Sequence, residues 1–339
     1  MQLIYHPFDL RLRHTFTIAH DSRDIQPTLI VELRDENGLS GLGEATTSRY
    51  YNVSMESMMA DLDRVRDIVE GGEWTSAEEL WEMTHPVLKQ NPFAQCALDV
   101  AAHDLMARKA GLPLYAHWVL EPLQIPPTNY TIGIDTVEKM VEKLKEFPWP
   151  LYKIKLGTAY DLDIVRELRR HTDAVFRIDA NCAWSADEAI GNSRVLKELG
   201  VEFIEQPLPA ADRLGMEKVF RHSALPVIAD ESCIVEDDVL KCAGLFHGVN
   251  IKLTKCGGLT AARRMIVTAR SKGLKTMVGC MTESSVGIAA IGHLLPLLDY
   301  VDMDGQLLLA NDPAGGVAFD ESGRFIYTND PGTGAYMRH

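Results

Sequence analysis

The 339-residue chain carries 48 acidic against 34 basic side chains, and its formal net charge of −14 argues against nucleic acid or an anionic membrane surface as a partner. Hydrophobic residues at 46% and charged residues at 24% suit a protein with a sizeable core, and the length admits either one large barrel or two domains. No charged-then-apolar signal pattern opens the chain, and its six cysteines lack any C-x-x-C pair, so reduced thiols in the cytoplasm are expected.

In chain order, "TLIVELRDENGLSGLGEA" (Thr28–Ala45) reads as two strands joined by a turn at Glu36-Asn37-Gly38. Helical periods follow at Ser54–Glu70 and Ser76–Leu88, then a small-residue helix over Ala94–Gly111, and "LQIPPTNYT" reads as a linker. Beyond it, short apolar strands alternate with amphipathic helices. The strands are expected at Thr128–Ile134, Tyr152–Leu156, Phe176–Asn181, Val201–Gln206, Pro226–Glu231, Gly248–Leu253, Lys275–Gly279 and Tyr300–Asp304. Eight such units imply a parallel sheet closed into an α/β barrel; the runner-up, an open doubly wound sheet, lacks a G-x-G-x-x-G after its first strand. The apolar run Val286–Val301 is broken by His293 and Pro296 and is too short to span a bilayer. "GGVAFDESGRFIYT" alternates like a strand and is expected to return to the first domain.

Three acids close three successive barrel strands: Asp179, Glu205 and Asp230, 26 and 25 residues apart. Taken singly, each reads as a helix cap or a loop ion pair. Their shared register instead places them at one height at the C-terminal mouth, where three buried carboxylates need a cation. Oxygen-only ligation points to Mg²⁺. On the second strand Lys153 and Lys155 project from one face, and like charges so close repel, which favours the neutral amine a base needs. Lys252 on the sixth strand stands diametrically opposite Lys155, while Lys255 reads as a snorkelling side chain or a loop contact. Two lysines across one metal-bound substrate suit proton removal on one side and delivery on the other, with Mg²⁺ and Lys153 stabilising the enediolate.

The motifs "KIKLG", "DANCAW", "EQPLP", "ADESC", "NIKLTKCGGL" and "DMDG" resemble those of the enolase superfamily, in its muconate-lactonising subgroup and, within it, the dipeptide epimerases. The resemblance implies a (β/α)7β barrel, a TIM-like fold, under an N-terminal α+β capping domain completed by the C-terminal segment. The boundaries expected are 1–125 for the cap, 126–315 for the barrel and 316–339 for the returning segment. It implies an isomerase with Lys155 and Lys252 as the acid/base pair, Asp179, Glu205 and Asp230 as metal ligands, and Asp302 and Asp304 as receivers of a dipeptide's α-ammonium group. Cap-loop residues Arg23 and Arg49 become candidates for a side-chain carboxylate, Arg23 first, so that L-Ala-D/L-Glu in murein-peptide recycling is the expected substrate and role. The alternatives are an epimerase of hydrophobic or cationic dipeptides, a cycloisomerase or o-succinylbenzoate synthase on the same scaffold, and a non-catalytic binding barrel. A homo-oligomer is compatible with all of them.

Overall fold

The computed structural model describes residues 1–18 and 21–338. Strands β1 (Gln2–Ile18), β2 (Asp21–Arg34) and β3 (Ser40–Thr46) form an antiparallel sheet in that order. The expected turn joins β2 to β3: Asp35 Oδ1 accepts the N–H groups of Asn37 and Leu39, and Gly38 takes φ +82°, a conformation that glycine adopts without steric cost. Strand β1 is not marked in the sequence. Among the named strands it pairs with β2, and of its described residues only Leu3 and Leu10 are buried, so it leaves no period-2 signal.

Helices α1 (Met55–Asp63), α2 (Arg66–Gly71), α3 (Ala77–Leu88), α4 (Pro92–Lys109) and the single turn α5 (Leu114–His117) follow. The one helix expected over Ser54–Glu70 is therefore two, interrupted at Arg64 and Val65. Helix α4 lies directly on β3, which explains the small residues in both. A Cβ on Gly43 would stand 2.1 Å from the Ala97 carbonyl oxygen, and one on Gly41 would stand 2.3 Å from that of Ala101.

The barrel then winds up in βα units. They run β4 (Tyr130–Ile132), α6 (Val137–Glu146), β5 (Leu151–Lys155), α7 (Asp161–Arg169), β6 (Val175–Asp179), α8 (Ala186–Glu198), β7 (Val201–Glu205) and α9 (Arg213–His222). The second half is β8 (Val227–Ala229), α10 (Glu236–Cys242), β9 (Gly248–Ile251), α11 (Leu253–Cys256), α12 (Leu259–Ser271), β10 (Lys275–Gly279), α13 (Ser285–Gly292) and β11 (Tyr300–Asp302). All eight strands pair in parallel in sequence order, and a parallel bridge between Thr128 and Val301 joins first to last. The sheet is a nearly closed barrel and not an open one. Alternation sorts each strand: Tyr152 and Ile154 belong to the hydrophobic core shared with the helices, while Phe203, Ile228 and Met277 form a separate small cluster with Tyr300 against them. Arg177, fully buried, stacks over Phe203 and Tyr300 at 5.1 and 5.2 Å and so plugs the bottom of the barrel. The chemistry is left to the other end.

After the barrel, β12 (Ala314–Gly315) pairs with β13 (Tyr336–Met337). The segment expected to alternate as a strand instead folds into a turn held by the Phe319–Phe325 bridge. The chain end does reach the first sheet: Asp104 of α4 accepts the N–H groups of Thr333 and Leu42 at 2.6 and 2.8 Å. Among the described residues no helix is long and apolar enough to cross a membrane.

Glu44 of β3 pins the cap to the barrel. Wholly buried, it accepts Ser284 Oγ at 2.5 Å, Thr28 Oγ1 at 2.7 Å and the Gly287 N–H at 2.9 Å. Glu44→Ala leaves those donors without their acceptor and should cost about 2–4 kcal/mol. The check is the denaturant midpoint at unchanged m-value.

Candidate active site

The site grows from strand parity. Within β5, Lys153 and Lys155 face inward, and Lys155 is the register partner of Asp179, which in turn partners Glu205. The third acid breaks the expected equal register, because Glu205 pairs with Ile228, two residues before Asp230. Two residues preserve the inward face, and the stagger that closes a barrel brings Asp230 level. One carboxylate oxygen from each of Asp179, Glu205 and Asp230 lies within 4.8 Å of the others. All three side chains are buried.

Four lysines hold this acid cluster together. Lys153 Nζ lies 2.7 Å from Glu205 Oε2, 2.8 Å from Asp302 Oδ2 and 3.2 Å from Asp179 Oδ2. The strand pattern suggested that cationic neighbours would favour a neutral amine; at Lys153 the opposite holds. Burial works against its charge, but Asp302, Glu205 and Asp179 outweigh that and hold its pKa well above the ordinary value. Lys155 Nζ donates to Asp179 Oδ2 at 2.6 Å. Lys252 Nζ pairs with Asp230 Oδ2 at 2.9 Å; burial lowers its pKa, but Asp230 together with Glu205 and Tyr51 outweighs burial and raises it.

Lys255 does not snorkel. The single turn α11 points it back inside, where Nζ donates to Asp230 Oδ1 and the Asp230 carbonyl, both at 2.6 Å, and to the Cys233 carbonyl at 3.0 Å. Its spacing did not mark this, because Lys252 before it is still in extended backbone. Asn250 was missed as well. It sits two residues before Lys252, hence on the same inward face, and its Nδ2 donates to Glu205 Oε1 at 2.8 Å.

Do these residues fit a metal ion? The donors are three buried carboxylates with no histidine or cysteine among them, a set for a hard cation. Glu205 Oε2 is buried and accepts no hydrogen bond among the described residues, although Lys153 stands close. The fit is good.

Asp302 and Asp304 stand at the end of the last strand, where Asp302 shares Lys153 with the acid cluster. Asp302 Oδ1 accepts Asn129 Nδ2 at 2.7 Å and Asp304 Oδ2 accepts the Thr131 N–H at 2.5 Å. Burial, reinforced by Asp302, pushes Asp304 up to about 8. Cys280 borders Asp304 at 3.9 Å, and burial keeps it a thiol.

Of the ten residues expected at the site, all but Asp179 and Glu205 line one cavity of about 410 Å³. Lys155 and Lys252 reach it from the second and sixth strands, across the barrel from one another. Sheet β2 and the loop after β3 complete its wall. There Arg23 Nη2 pairs with Asp21 Oδ2 at 2.8 Å and Nη1 donates to Gln26 Oε1. Arg49 lies exposed at the rim, and no carboxylate pairs with it among the described residues.

Residues 135–339 match the family described as enolase C-terminal domain-like, and residues 5–116 match the mandelate racemase / muconate lactonizing enzyme N-terminal domain. The chain is 58% identical over 337 residues to the L-Ala-D/L-amino acid epimerase of Flavobacterium johnsoniae, covering 99% of this chain and 100% of that one. It is 36% identical to the L-Ala-D/L-Glu epimerase of Bacteroides thetaiotaomicron, over 98% of this chain and 87% of that one. Among solved structures, the dipeptide epimerase of Cytophaga hutchinsonii, complexed with Mg and D-Ala-L-Val, superposes with a TM-score of 0.94 at 25% identity, over 100% of this chain and 96% of that one.

Proposed function

The chain belongs to the enolase superfamily, in its muconate-lactonising subgroup, and from that membership we infer that the opposed lysines invert the α-carbon of a dipeptide's C-terminal residue. It is an isomerase, a dipeptide epimerase. One observation carries the mechanism: Lys155 and Lys252 face the same cavity from opposite strands, and that cavity ends in the acid pair Asp302 and Asp304.

The substrate's ammonium group sits against Asp302 and Asp304, and its carboxylate lies at Lys153, beside the acid cage. The C-terminal α-carbon then lies between the two lysine amines. One amine takes the α-proton, and the ammonium form of the other returns a proton to the opposite face. Asp179, Glu205 and Asp230 would hold Mg²⁺, which would supply positive charge beside the oxygens where negative charge develops. Lys153 adds a fixed cation that needs no reorganisation as charge develops.

The substrate range follows from the relatives and the cavity wall together. An N-terminal L-Ala matches their names, and Arg23 and Arg49 make L-Ala-D/L-Glu the acidic member of the range. That peptide occurs in peptidoglycan, so murein-peptide recycling is the proposed role. A cycloisomerase or o-succinylbenzoate synthase on this scaffold has no use for the acid pair, because its substrate carries no ammonium group.

Incubation with L-Ala-X dipeptides in D₂O tests the reading. Deuterium should enter the α-position of the C-terminal residue alone as the D-epimer accumulates; no exchange with any dipeptide would sink it. Asp302→Asn should lower kcat/KM by about ten- to a hundredfold, the worth of a charge-assisted contact. An N-acetylated dipeptide should be a poor substrate of the wild type and lose little more with the variant.

A further inference from the structure

The pair Asp21–Arg23 stands at two alternate positions of β2, so both side chains face the cavity from one side of the strand. Both are 27% exposed, open enough to meet a substrate. Each terminal nitrogen of Arg23 already has a partner. One goes to Asp21, the other to Gln26, and Gln26 is itself pinned by its amide, which donates to the carbonyls of Pro27 and Thr47 at 3.0 and 2.9 Å. Arg23 Nε is buried and has no acceptor among the described residues.

A carboxylate needs two parallel N–H groups for bidentate recognition by arginine, and Asp21 occupies one of them. It also repels an incoming acid. Seen from the cavity, the pair is close to neutral, and Phe16, Ile18 and Leu308 offer apolar surface nearby.

We propose that Asp21 is a specificity-determining residue: by occupying Arg23 it levels the preference of the site between acidic and neutral C-terminal side chains. The inference rests on the dipeptide-epimerase reading and names the substrate class more closely, as L-Ala dipeptides whose second residue is acidic or uncharged. Asp21 is thus a built-in competitor for the side-chain carboxylate. Arg49 at the rim keeps a weaker, solvent-screened attraction for acids.

The test compares kcat/KM for L-Ala-L-Glu with that for L-Ala-L-Leu. Wild-type values should agree within about tenfold. Asp21→Asn frees the guanidinium and should raise the Glu-to-Leu ratio by about ten- to a hundredfold, the worth of a charge-assisted pair. Adding Arg23→Met to that variant should return the ratio to the wild-type range, and Asp21→Ala should reproduce the rise. Thermal midpoints of all variants check that each is folded. If Asp21→Asn lowers the ratio, the acid serves to aim Arg23 and the proposal is overturned. A ratio that does not move overturns it equally, and in both cases the epimerase reading survives. If the wild type exchanges the α-proton of neither dipeptide, the epimerase reading falls and this inference falls with it.

Discussion

Lys252→Ala should abolish epimerisation, lowering turnover by about 10²–10⁴-fold, the usual weight of one positioned acid/base group. Lys155 remains on its own strand, held by Asp179 at 2.6 Å, so the variant should still exchange the α-proton of one stereoisomer with D₂O. Lys155→Ala should show the reverse preference. The stereochemical split is what separates two opposed bases from one base with a helper. It is read by following deuterium incorporation separately from L-Ala-L-X and L-Ala-D-X. A single variant that still epimerises at the wild-type rate would refute the opposed-lysine mechanism. Thermal midpoints should accompany the assay, because Lys252 pairs with Asp230 in a buried setting and its loss leaves that acid to Lys255 alone.

Removal of the divalent cation should reduce turnover to background, and Mg²⁺ should restore it. One oxygen from each of the three carboxylates lies within 4.8 Å of the others, a set of hard donors for a divalent cation even with the lysines beside them. Asp179→Asn and Glu205→Gln should each lose at least about 10²–10³-fold in turnover, comparable with the loss of a preorganised oxyanion partner. Each should also weaken Mg²⁺ binding in calorimetry. Asp179→Asn should be the more damaging, since Asp179 Oδ2 also anchors Lys153 and Lys155. Full activity in chelated, metal-free enzyme would remove the role assigned to the acid cage.

Much of the site was legible because strand parity is rigid. In a strand, residues two apart share a face, so Lys153 and Lys155 had to point together once the strand was recognised, whereas the last strand, expected to run to Asp304, ends at Asp302 and Asp304 caps the turn after it. The repeat of 26 and 25 residues between acids likewise carried over into neighbouring strands, since each βα unit of a barrel is one turn of the same construction. Parity also held the information on Asn250, two residues before Lys252, although it was not used. The single-turn geometry of α11 that brings Lys255 down onto Asp230 had no such marker, because a lysine after a strand reads the same whether it snorkels or turns inward.

By itself, then, the sequence determined the alternation of eight strands with helices, the inward faces and the identity of the acids and lysines on them. These follow from local periods of two and 3.6 residues, which are properties of the backbone. The tertiary structure alone decided what depends on distance between remote segments. It staggered Asp230 two residues past the register of Glu205 and yet returned it to the cluster. It surrounded Lys153 with three carboxylates, so that attraction overcame both burial and the neighbouring ammonium. It also set Asp21 against Arg23, turning a free cation at the cavity wall into a nearly neutral pair. The physical reason is common to all three: electrostatic energy depends on separation and burial, and neither is written in the spacing of residues along one chain.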